Sequence, residues 1–130
     1  ARSRRGIGKA TINFDTKPSG YIASGGGGRI SISGTIADLS QPFTTEGVFT
    51  GGSTTFHHTP TDSRSGTISI SSPCGPGCVL EGTGTYTIAE NEDGTLLMTE
   101  VVSACTTVTA EFSQQTCMDS APTVVLTPIG

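Results

Sequence analysis

A two-residue rhythm of apolar and polar side chains, broken about every 8 to 15 residues by glycine, proline or asparagine, dominates this 130-residue chain. Residues 9–14 alternate, and residues 15–20 break the pattern. Residues 21–24 and 29–33 flank four consecutive glycines, Gly25, Gly26, Gly27 and Gly28, and predict a hairpin with a mobile turn. Residues 46–50 and 53–57, joined at Gly51-Gly52, predict a second. Further strands are expected at 67–71, at 78–88, at 96–103 after the turn 90–94, at 105–112 and at 123–127. Gly82 and Gly84 mark a bulge or sharp bend inside the 78–88 segment. The total is eight to ten strands and no helix longer than one turn, at 37–41.

Composition points the same way. Only 33 % of the residues are apolar and there is no Trp, which is lean for a folded core. Only 14 % are charged and the net charge is −4, so self-repulsion does not prevent collapse. Gly, Ser and Thr dominate, while residues that favour helices are scarce. The chain is read as all-β, with a basic N-terminal tail at residues 1–6 and a single domain at 7–130.

Each alternating strand offers one face to a core and one to water. A closed antiparallel barrel of about eight strands satisfies this, as does a two-sheet sandwich. The barrel is expected, because closure removes exposed edges and Gly-rich strands bend around it. The pattern is compatible with calycin-like and allene-oxide-cyclase-like barrels, a likeness of architecture that says little about function. A faint repeat relates residues 28–33 to 66–71 and residues 46–50 to 81–87, as if strand pairs had been duplicated.

The four cysteines predict two disulfides, Cys74 with Cys78 and Cys105 with Cys117, although four cysteines allow three connectivities. Neither spacing suits structural zinc. Disulfides imply an oxidising compartment, so the protein is expected to be secreted, extracellular or periplasmic. No apolar run approaches the roughly 20 residues that span a bilayer. Ala1-Arg2-Ser3-Arg4-Arg5 lacks the apolar stretch of a signal peptide, so any such leader is taken to be already removed. Arg2-Ser3-Arg4-Arg5 also has the pattern that subtilisin-like processing proteases cleave after, which would make Gly6 a mature N-terminus. Neither Asn13 nor Asn91 lies in a glycosylation sequon.

All Lys and Arg fall at or before Arg64, and only acidic charges follow. A fold that interleaves the halves would largely cancel this asymmetry in space. The sequence pI of about 4.9 argues against nucleic acid as a partner. So few aromatic residues argue against stacking platforms for sugars or single strands.

Glu100 is the most informative single position. Period two places Leu96, Met98, Glu100 and Val102 on one face; facing inward, Glu100 would be a carboxylate among apolar groups, the setting of a tuned acid or base. Tyr86 is its candidate hydrogen-bonding companion, with Met98 and Ile88 beside them as ligand contacts. Glu46 and Glu81 precede Gly at matching points of the repeat and suggest paired carboxylates, against the commoner role of solvated strand residues. His57 and His58 point to opposite faces and do not share a metal; one of them with Asp62 could form a pair across the loop. No nucleophile elbow accompanies them. The acidic turn 90–94 lacks calcium-loop spacing, and Gly25 to Gly28 lacks the Lys-Ser/Thr and helix of a phosphate loop.

With no cofactor motif, three functions are compatible. The leading expectation is an extracellular binding module for a small apolar molecule or a protein partner. A small cyclase or isomerase with Glu100 as acid/base and Tyr86 as donor is the alternative, and an adhesion or structural domain the third. The interior decides among them. A pocket of a few hundred Å³ walled by Glu100 and Tyr86 supports the first two, while a solid core with Glu100 in solvent supports neither.

Overall fold

The structure, a computed structural model, describes residues 18–49, 52–109 and 113–130. The expected strand at 9–14 and the basic tail at 1–6, with its cleavage pattern, lie outside the described residues. There are nine strands: β1 (Gly20–Gly27), β2 (Ile30–Ile36), β3 (Phe43–Phe49), β4 (Gly52–Pro60), β5 (Ser65–Gly75), β6 (Cys78–Glu90), β7 (Leu96–Thr109), β8 (Ser113–Ser120) and β9 (Thr123–Ile129). β1 to β7 each pair antiparallel with the next strand, β7 also pairs with β9, and β9 returns to β1. Eight strands therefore close a barrel, with β8 as an extra strand on β7. The barrel is as expected, and the sandwich alternative falls.

Alternation produces the core directly. Ile30, Ile32 and Ile36 of β2, Ile68 and Ile70 of β5, Ile88 of β6, Leu96, Met98 and Val102 of β7 and Val124 and Leu126 of β9 are all buried. An eight-stranded barrel is just wide enough for such side chains to fill it. One end carries the β2–β3 loop and the β4–β5 and β6–β7 turns; it is called the mouth below. The other end carries the β1–β2 and β5–β6 turns.

The structure departs from the sequence reading in four places. Gly25, Gly26 and Gly27 belong to β1, paired with β2, and the turn is only Gly28-Arg29; backbone pairing on both edges holds Gly25 in the sheet, opposite Ile32 and Val124. β6 runs through Gly82 and Gly84 without a register shift, and the irregularity falls at Pro73/Gly75 of β5 instead. A Cβ at Gly84 would lie 2.2 Å from the Val101 carbonyl oxygen, so glycine there permits close strand approach rather than a bulge. Residues 96–103 and the described part of 105–112 form the single strand β7. Finally, β8 is a strand that the alternation does not predict. The repeat relates β2 to β5 and β3 to β6, strands three apart that run in opposite directions around the barrel, so no rotation about its axis superposes them.

β8 and β9 keep one register against β7: Ser120 lies opposite Val102 and Thr123 opposite Thr99. They are two halves of one strand interrupted at Ala121-Pro122. The Glu100 amide donates to the Pro122 carbonyl at 3.0 Å, but proline has no N–H to return the bond. Away from the mouth, the ends of β5, β6, β7 and β8 continue as a four-stranded sheet. Beyond Ile70, β5 has lost β4 as a neighbour, and most of the side chains described here are exposed or half-exposed. Both disulfides lie in this sheet, Cys74–Cys78 across β5 and β6 and Cys105–Cys117 across β7 and β8, with the expected connectivity. Two disulfides fit an oxidising compartment. Among the described residues no helix is long and apolar enough to cross a membrane.

Candidate functional site

The alternation that buries the isoleucines also carries polar groups inside. Glu100 shares the inward face of β7 with Met98 and Val102 and is 0 % exposed. Its cross-strand partner on β6 is Tyr86, 2 % exposed. On β4, Thr54, Phe56 and His58 point inward while His57 is exposed. His58 Nε2 and Glu100 Oε2 share a hydrogen bond across the barrel interior, 2.8 Å long. The partner of His58 is thus Glu100, and not Asp62, whose carboxylate accepts from the Arg64 amide and the Ser65 hydroxyl within its own turn.

Two further rings pack against the His58 imidazole. Phe43, opposite His58 in the β3–β4 register, stacks on the imidazole with centroids 4.4 Å apart and 8° between planes. Tyr86 meets both edge-on, at 5.7 Å from Phe43 and 5.2 Å from His58. Such offset and edge-on contacts favour aromatic pairs beyond their area burial. Tyr86 fits because its neighbour on β5 is Gly66, where a Cβ would stand 2.5 Å from the phenol oxygen. Burial, and then the negative charge of Asp62, push the Tyr86 phenol above its usual range. His58 Nδ1, Tyr86 Oη and Glu100 Oε1 find no hydrogen-bond partner in the protein, and neither do the buried Thr45 and Thr54 hydroxyls. A buried polar atom without a partner is costly, typically about 1–3 kcal/mol, so this cluster is an expensive feature of the core.

Met98 and Ile88 are buried beside these groups as part of the packed interior. Glu46 and Glu81 stand exposed on β3 and β6, three strands apart, and Glu46 accepts from Thr55. The acidic turn is a hairpin tip closed by its own polar groups: Asp93 accepts from the Thr95 amide and hydroxyl, which hold its carboxyl below the usual range. Among the described residues no three His, Cys, Asp or Glu gather to hold a metal ion.

Space lies elsewhere. A cavity at the disulfide end, lined by Phe56, Ile70 and Val102 among others, holds about 10 Å³, roughly one water. At the mouth an open pocket of about 480 Å³ is walled by Tyr21, Leu39 and Leu96, with Asp38, Ser63 and Arg64 at its edge. None of Glu100, Tyr86, Met98 and Ile88 lines it. The two features adjoin nonetheless. The β4–β5 turn that contributes Ser63 and Arg64 also carries Asp62, whose charge acts on Tyr86. The β2–β3 loop sends Leu39 against the core from above. Sequence reasoning missed His58 as an interior group and the whole mouth; the step-two register of Thr54, Phe56 and His58 was the available signal for the former.

No known family model, curated protein or solved structure matches this chain.

Proposed function

We propose that this domain is a secreted binding module that takes a small, largely apolar molecule at the barrel mouth. The mouth pocket carries the reading: its volume falls in the range of small-molecule sites, and apolar side chains wall it with a few polar groups at the edge. The cyclase or isomerase alternative needs room for a carbon skeleton beside Glu100. Phe43, His58 and Tyr86 are packed together around that carboxylate, and a substrate would have to displace a ring to touch it. The role of the acid–base pair in the binding module is to fix the floor beneath the pocket.

Titration with N-phenyl-1-naphthylamine, a neutral apolar fluorophore, tests this. Saturable one-to-one binding is expected. Leu39→Asp should weaken it at least tenfold without unfolding the barrel, while Val79→Asp on the distant sheet should leave it unchanged. No saturable binding, or equal loss in both variants, would remove the mouth as a site.

A further inference from the structure

The chain enters the barrel at the mouth. Pro18, the first described residue, lines the mouth pocket together with Tyr21, Leu39 and Leu96. Residues 1–17 are therefore tethered at the rim of an open, apolar-walled pocket of about 480 Å³. Even fully extended, the chain spans at most about 14 Å from Pro18 to Phe14 and about 21 Å to Ile12. That is length enough to double back over the pocket and too little to carry these side chains far from it. A segment on so short a tether meets the pocket at an effective concentration on the order of millimolar, so a weak contact suffices to fill it.

The composition of the segment suits it to this place. The apolar members of the alternation at 9–14 are Ala10, Ile12 and Phe14, the kind of side chain that the walls of Tyr21, Leu39 and Leu96 would bury. Charge acts in the same direction. Residues 1–17 hold five of the seven basic residues, Arg2, Arg4, Arg5, Lys9 and Lys17, and one acidic residue, Asp15. Residues 18–130 hold two basic and ten acidic residues, so the segment and the barrel attract each other. Of those two basic residues, Arg64 at the mouth is already paired with Glu90. Resting on the mouth as the binding site, we infer that residues 7–17 occupy the mouth of their own chain, with Phe14 and Ile12 in the apolar pocket. A ligand binds by displacing them, so the segment sets the affinity of the site. Attraction between segment and barrel keeps the segment close, and the apolar walls select which of its side chains enter.

Titration of two forms of the full chain with N-phenyl-1-naphthylamine tests the occupant separately from the site: wild type, and Ile12→Ser with Phe14→Ser. The double variant keeps every charge and should bind the probe at least tenfold tighter. Raising the salt to 0.5 M should tighten wild-type binding several-fold, as the attraction holding the segment is screened, and leave the variant within about twofold. Without probe, NMR of wild type should show the Phe14 ring against the methyl groups of Leu39 or Leu96, and saturating probe should remove that contact. The gain in the variant should not depend on protein concentration; a gain seen only in concentrated protein would mean that a second copy supplies the segment, and would overturn the inference. Equal affinity of the two forms, or no Phe14 contact in wild type, would overturn it and leave the binding site standing. No saturable binding by either form would overturn both.

Discussion

At the residue scale the buried cluster is the feature that needs explaining, because each of its polar atoms gave up water. Removing one member of the His58–Glu100 pair leaves the other buried and unpaired, which typically costs about 3–5 kcal/mol. Replacing both with apolar groups of similar volume removes the problem at its source. Urea unfolding of His58→Phe, Glu100→Leu and the double variant should therefore show strong coupling, the double being less destabilised than the two singles together. Additive losses would show that the hydrogen bond contributes little. Tyr86 gives a second check, through pH. Its folded pKa is raised, by burial first and by Asp62 second. Above about pH 10 the unfolded chain releases this proton while the folded chain keeps it. Stability contributed by the neutral phenol is full below that pH and is lost as pH rises towards the folded pKa. Tyr86→Phe should abolish this alkaline fall and be neutral or stabilising by about 1 kcal/mol at pH 7. A loss larger than that would show that the hydroxyl has a partner, such as an enclosed water. Period two made legible that Glu100 shares a face with Leu96, Met98 and Val102, but not which face of the strand turns inward; the closed barrel decides that. The partner of Glu100 was not legible, since His58 and Glu100 sit on β4 and β7, which meet only across the closed interior.

At the element scale the strands divide by what holds them. Barrel strands have a buried face, and the resulting alternation is plain in the sequences of β2, β5 and β7. β8 has none: its described side chains are exposed or half-exposed, and Gln115, Thr116, Cys117 and Met118 show no step-two pattern to find. The distal ends of β5 and β6 are equally thin, with Val79 left exposed. Without a core, this sheet depends on cross-links. In the chain-entropy picture Cys105–Cys117, which closes a separation of 12 residues, contributes about 3 kcal/mol, and Cys74–Cys78, closing 4, about 2 kcal/mol. Cys105→Ser with Cys117→Ser should thus release β8 while leaving the barrel closed. Hydrogen exchange should rise in β8 and the end of β7 with β1 to β5 still protected. Uniform loss of protection would mean instead that the sheet and the barrel unfold as one unit.

At the scale of the whole molecule the decisive event is closure. Seven of the eight barrel junctions join strands near in sequence, whereas β1 meets β9 across the entire chain; Ser19 donates to the Ile129 carbonyl across a separation of 110 residues. Closing a loop of that length costs about 3 kcal/mol more than closing a four-residue hairpin. The β1–β9 seam should therefore form late, after the β4–β5–β6 meander has already paired. Leu126 is fully buried in the seam strand, opposite Leu96 on β7 and Ala23 on β1. Ile68 is as buried at the centre of the meander. Truncating either to Ala should cost about 2–5 kcal/mol, but the losses should partition differently between the rates. Leu126→Ala is expected to speed unfolding with little change in the folding rate, and Ile68→Ala to slow folding, both measured by stopped-flow chevrons in urea. If Leu126→Ala instead slows folding, the seam belongs to the nucleus, and barrel closure precedes the local hairpins rather than following them.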